Sequence, residues 1–137
     1  MKGTILERII EAKRLQIATA KQNFDRTAIV RKAHPYRLRK ALSDRSKHNI
    51  IAEFKRASPS KGIINDSVSP ALAAANYRDA GAAAISVLTE EHFFKGSIDD
   101  LRAVRNAVDL PILRKDFIID EFHIHESAAI GADAILL

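Results

Sequence analysis

The sequence predicts an α/β fold built on a parallel sheet, and three observations carry that expectation. From residue 49 onward, short apolar segments alternate with segments of helical composition bounded by capping residues. Each apolar segment is separated from the next by a helix, and such crossovers join parallel strands with right-handed connections. The stretches AGAAAISVL and IGADAILL are near copies whose glycines, Gly81 and Gly131, stand 50 residues apart, the length of two strand-plus-helix units.

Composition bounds the rest. The 137 residues make about one domain, and 47% apolar with 28% charged residues is ordinary for a globular protein. No long apolar run or signal-peptide pattern appears, so no membrane partner is expected. The absence of cysteine excludes disulfides and thiolate metal sites and fits a cytoplasmic location. A net charge of +5 favours an anionic partner.

The elements follow in order. Thr4 with Glu7 reads as a capping box, and Ile5, Leu6, Ile9, Ile10 and Leu15 populate the helix behind it. A second, short helix is expected around Tyr36 to Leu42, between Pro35 and the polar break Ser43-Asp44-Arg45-Ser46. Residues 1–48 thus read as a helical extension and residues 49–137 as the sheet domain. The first strand runs from Asn49 to Lys55. Ser69-Pro70 caps and starts the next helix, which Gly81 closes. AAAISVL is the second strand, Ser97 with Asp100 opens the following helix, and Pro111 starts the third strand, PILRK. Asp120 opens a last helix, closed by Gly131, and DAILL is the fourth strand.

A doubly wound sheet and a barrel both satisfy this order. The loop after the first strand, ASPSKGIINDSVS, holds only Gly62 where a nucleotide-binding turn is glycine-rich, which favours the barrel. Barrel sites sit at the carboxyl ends of the strands. Period-two alternation places Ile51, Glu53 and Lys55 on one face of the first strand, with Ile50, Ala52 and Phe54 under the helices. Leu113, Lys115 and Phe117 share a face of the third. Two lysines and a glutamate therefore converge on one mouth, where a cation can bind an anionic substrate or act as a general acid. Lysines at strand ends are also common solvated gatekeepers, but the device occurs on two strands.

IIAEFKRASPSKG, ISVLTEEHFFKGS, PILRKDFIIDEFHI and GADAILL, in this order, resemble the first four strands and loops of indole-3-glycerol phosphate synthase, and the amphipathic arm resembles that family's N-terminal extension. The resemblance implies a (β/α)₈ barrel, here its first four units, truncated in the fourth strand at Leu137. It implies a carboxy-lyase of tryptophan biosynthesis that closes the indole ring of 1-(2-carboxyphenylamino)-1-deoxyribulose 5-phosphate with loss of carbon dioxide and water, without metal or organic cofactor. Carried over, Lys115 is similar to the general acid at the substrate carbonyl, Lys55 to the lysine that binds the carboxylate, and Glu53 to the carboxylate that holds both. Ser58 resembles a substrate-binding loop serine, and Phe94 and Phe117 resemble the aromatic walls of the anthranilate ring. With half the strands absent, the catalytic set is incomplete and little turnover is expected. Exposed lumen residues such as Ile51, Val87 and Leu113 would drive homo-oligomerisation or pairing with a complementing C-terminal half-barrel. The alternative is a non-catalytic, self-associating half-barrel that binds phosphorylated sugars. The neighbouring phosphosugar isomerase barrel does not explain the Glu-x-Lys and Arg-Lys-Asp-Phe pair.

Three other features carry less. His123 and His125 with Glu121 and Glu126 suggest a metal site, but two positions apart on a helix means nearly opposite faces. The basic run over residues 31–48, with Tyr36 among its cations, has no accompanying nucleic-acid motif, so no nucleic-acid partner is expected. Thr89-Glu90-Glu91 fits a substrate contact and a turn cap equally well.

Overall fold

The computed structural model describes residues 3–24 and 36–137. Helix α1, Ile5–Gln22, starts on the expected capping box: Glu7 N–H donates to Thr4 Oγ1 at 3.3 Å and Thr4 N–H donates to Glu7 Oε2 at 2.7 Å. The helix buries Ile9, Lys13 and Ile17, whereas Ile5, Leu6 and Leu15 remain exposed. Helix α2, Arg37–Leu42, ends at Ser43 as the polar break predicts.

Six strands follow. β1 (Ile51–Phe54), β4 (Ala84–Leu88), β5 (Ile112–Lys115) and β6 (Ala134–Ile135) form one parallel sheet in that order. Helix α3 (Pro70–Asp79), α4 (Ile98–Ala107) and α5 (Glu121–Ala129) connect them. A small antiparallel hairpin, β2 (Ala57–Ser58) and β3 (Gly62–Ile63), lies between β1 and α3 and is absent from the sequence reading. Two-residue strands carry too few side chains for a period to show.

The glycine repeat has a physical basis. Gly81 and Gly131 adopt φ of +87° and +88°, the left-handed backbone that lets a helix end in a doubly bonded turn. Ala82 N–H reaches Tyr77 O and Ala132 N–H reaches Ser127 O, each at 3.0 Å. One residue later, Ala83 N–H donates to Ile50 O and Asp133 N–H to Ile112 O, so each turn hands its strand to the neighbouring strand in the same way.

The core lies between the sheet and its helices and includes Phe54, Ile85, Val87, Leu101, Val104 and Ile112. Each such side chain contributes about 1.5–3 kcal/mol through burial. Val87 corrects the sequence reading. The register pairs Glu53 with Ser86 and Phe54 with Val87, so Ser86 shares the face of Glu53 and Val87 is fully buried under the helices. Ile50 is a second correction, 60% exposed because it precedes the strand instead of packing under α3. Ile51 is exposed and Leu113 half-buried, as expected of the open face. Among the described residues no helix is long and apolar enough to cross a membrane.

Candidate active site

The carboxyl ends of β1 and β5 meet at a cavity of ≈ 400 Å³, lined among others by Glu53, Lys55, Phe94, Lys115, Phe117 and Leu136. Alternation on β1 turns Glu53 to the open face, where its carboxylate accepts from Ser86 Oγ at 3.2 Å and pairs with Lys55 Nζ at 3.1 Å. Both members of that pair keep 34% of their side-chain surface exposed, so the ion pair is accessible and solvent-screened. Lys115 ends β5 beside Leu88 of β4. Its neighbour Asp116 is bound to Lys13 and Arg114, so among the described residues Lys115 has no carboxylate partner. The rings of Phe94 and Phe117 stand 6.4 Å apart at 43° and provide an apolar wall.

The structure therefore brings together five of the six residues singled out from the sequence. Ser58 is the exception: it lies in the β2–β3 hairpin, outside the cavity lining, with its Oγ accepting from Lys61 N–H at 3.2 Å. Arg56, the second cation after β1, is structural. Its guanidinium grips Asp100 with two bonds of 3.2 and 2.8 Å, lies over the Phe54 ring at 5.1 Å and donates to the Asp66 carbonyl, which ties the segment after β3 to the start of α4.

Phe94 is positioned by a buried carboxylate. Glu90, 0% exposed, accepts the N–H groups of His92, Phe93 and Phe94 at 3.0, 2.7 and 3.0 Å. Among the described residues these bonds make Glu90 a turn cap, and it also lines the cavity, so both readings of the acidic cluster remain in place. Gly96 closes the loop against the strand; a Cβ there would stand 2.1 Å from the Leu88 carbonyl oxygen.

Sequence reasoning missed the charges beneath the site. Arg114 and Asp116 flank Lys115 and, by alternation, face the opposite way; they are 2% and 7% exposed. Lys13 of α1, 1% exposed, places its Nζ 2.8 and 2.9 Å from the two Asp116 oxygens. Arg114 binds Asp116 at 3.2 Å and Glu126 at 2.8 Å, so two cations face two carboxylates. Burial alone would raise the Asp116 carboxyl, but Lys13, the Thr89 hydroxyl and Arg114 outweigh it and hold the group below the usual carboxylate range. His123 next to this cluster is pushed down by its own burial and by the charges of Arg114 and Lys13. The signal for Lys13 was its place in the stripe Ile9, Lys13, Ile17, which shares one helix face.

His123 is buried, with Nδ1 accepting from Ile119 N–H at 3.5 Å, whereas His125 faces Glu121 at 3.7 Å. The two histidines do not converge, and among the described residues no cluster of three or more His, Asp and Glu side chains can hold a metal ion. Of the basic run, residues 31–35 lie outside the described residues; Arg37 is engaged by Asp109 and Asp133.

The family model for indole-3-glycerol phosphate synthase matches residues 6–137. The chain belongs to the indole-3-glycerol phosphate synthase family. It is 45% identical over 142 aligned positions to the indole-3-glycerol phosphate synthase of Carboxydothermus hydrogenoformans, covering 96% of this chain and 54% of that protein. The Bordetella pertussis protein of the same name is 44% identical, with 97% and 53% covered. The Rhodopirellula baltica one is 59% identical over 88 positions, 64% of this chain and 34% of that protein. The chain spans about half the length of the relatives matched end to end. This family has the (β/α)₈ barrel, and the parallel order β1-β4-β5-β6 with its connecting helices is the first half of that barrel.

Proposed function

We propose that this chain provides the first four strands, and part of the catalytic groups, of a lyase that forms indole-3-glycerol phosphate in tryptophan biosynthesis. The observation that carries the reading is the convergence of Glu53, Lys55, Lys115, Phe94 and Phe117 on one cavity at the carboxyl ends of the strands. In the ring closure, the ring carbon that bears the carboxylate bonds to the ketose carbonyl carbon. Lys115 Nζ gives a proton to the carbonyl oxygen as charge develops there. Carbon dioxide then leaves that ring carbon and returns its electron pair to the ring. The new hydroxyl departs as water after protonation, and loss of a methylene proton completes the indole. Lys55 holds the substrate carboxylate and is placed to donate in the dehydration. Glu53 orients Lys55 through their 3.1 Å contact, and the two phenylalanines face the anthranilate ring. Ser58 reaches substrate only if the hairpin closes over the cavity.

The reading extends to a phosphorylated substrate, a cytoplasmic location, an extension over residues 1–48 and a half-barrel over residues 49–137. It also extends to a second barrel half, or a second copy, as partner. The experiment is an assay for indole-3-glycerol phosphate, run on the chain alone and again with the C-terminal half of the Carboxydothermus relative supplied in trans. Product only on complementation is the expected result. Product from the chain alone would mean that four strands suffice. No product from a complex shown to assemble would overturn the catalytic reading in favour of a non-catalytic half-barrel.

A further inference from the structure

Helix α1 crosses the carboxyl ends of β4 and β5 and is tied there along its length. The Arg8 guanidinium lies 5.5 Å over the Phe93 ring, Lys13 binds Asp116, Lys21 Nζ meets Asp120 at 2.8 Å, and Phe24 meets Phe122 edge-on at 5.0 Å. Only the Lys13 contact is sealed from water on both sides. Its acceptor is the hub of the strand end. Asp116 also accepts the Thr89 hydroxyl at 2.6 Å, the Phe117 N–H at 2.8 Å and Arg114 at 3.2 Å, while Thr89 N–H donates to the Lys115 carbonyl at 3.1 Å. The backbone on both sides of Lys115 is thus held by groups that meet at one carboxylate, and Lys13 neutralises that carboxylate.

We propose that Lys13 is a positioning residue: its buried pair with Asp116 fixes the turn Lys115-Asp116-Phe117 and so aims the Lys115 ammonium and the Phe117 ring into the cavity. Without Lys13, Asp116 and Glu126 share Arg114 as their one close cation among the described residues, and a carboxylate left short of partners moves toward water and takes the turn with it. The importance of this for catalysis rests on the role of Lys115 proposed above. The geometry is testable without turnover.

The first measurement is amide exchange on the unsubstituted 137-residue chain. The Phe117 and Thr89 amides are expected to be protected to the same degree as the core of β4, and a freely exchanging Phe117 amide overturns the inference. The second compares the lysine 13Cε resonances of the chain with those of Lys13→Met and of Lys13→Met/Asp116→Asn, alongside thermal unfolding. The double variant keeps Arg114 opposite Glu126 and is expected to recover the melting temperature lost by the single one. Lys115 is expected to shift and broaden in the double variant while Lys55, on β1, keeps its position. Recovery of the native Lys115 resonance together with the melting temperature would make Lys13 a charge-balancing residue only and sink the proposal. In the complemented barrel the double variant should lose about 100-fold in kcat with KM nearly unchanged, the cost of a misaimed proton donor. A loss confined to KM contradicts it. If the complemented wild type makes no product while Lys115 still moves, the functional reading fails and the positioning inference stands.

Discussion

Glu53 and Asp116 are both carboxylates at the carboxyl ends of barrel strands, yet their circumstances are opposite. Glu53 faces the cavity, shares one lysine with water and has one hydroxyl donor. Asp116 faces inward and is saturated by a lysine, an arginine, a threonine and a backbone N–H. Strand alternation decides between them. A charge on the open face is available to a ligand; one residue further along, a charge is committed to holding the strand end in place. Lys115 and Arg114 repeat the contrast on a single strand.

Substitutions on the two faces should separate accordingly. Lys115→Ala in the complemented barrel is expected to reduce kcat by about 10²–10⁴-fold, the worth of a general acid, while the denaturant midpoint stays nearly the same. Retained turnover would remove Lys115 from the chemistry. Asp116→Ala should do the reverse to the fold. It leaves Lys13 and Arg114 buried opposite Glu126 alone and should cost about 3–5 kcal/mol in urea unfolding. An unchanged midpoint would show that the inward face is not the structural one.

Gly96→Ala tests the loop that carries Phe94. A methyl 2.1 Å from the Leu88 carbonyl forces the backbone to shift, with an expected loss of about 1–3 kcal/mol and a displaced Phe94 ring visible in aromatic NOEs. Acid provides a gentler probe. Asp116 and His123 both have folded pKa values below their unfolded ones, so in each case the unfolded chain binds the proton more readily. Their contribution is complete above the unfolded values and is lost as pH falls. The His123 limb begins below about 6.5 and the Asp116 limb below about 3.9. His123→Gln should flatten the upper limb of a melting-temperature profile and leave the lower one. The smallest effect belongs to Lys21→Ala, whose pair with Asp120 is exposed, and the melting temperature should not move.

Much of this arrangement was legible in the residues. The Thr4–Glu7 capping box, the two glycine closures and the alternation from Ile51 through β1 and along β5 are local rules, satisfied within a few positions of the chain, and they point Glu53, Lys55 and Lys115 toward the cavity. Val87 was assigned to the wrong face because β4 is buried at every position, and Ser86 alone among its apolar neighbours marks which side meets the helices. The β2–β3 hairpin left no periodic signal, and Ser58 was placed by resemblance alone. The inward charges were harder still. Arg114 and Asp116 can be assigned to the buried face by counting, but their partner Lys13 lies 103 residues from Asp116, and nothing local connects the two.

That separation also sets an order of events during synthesis. A chain made at about 5–20 residues per second spends about 5–20 s between producing Lys13 and producing Asp116. Through that interval Lys13 lacks Asp116, the carboxylate it pairs with in the folded structure. The helix is therefore made early in synthesis, but its buried pair at the carboxyl end of β5 can close only after both strands have been made.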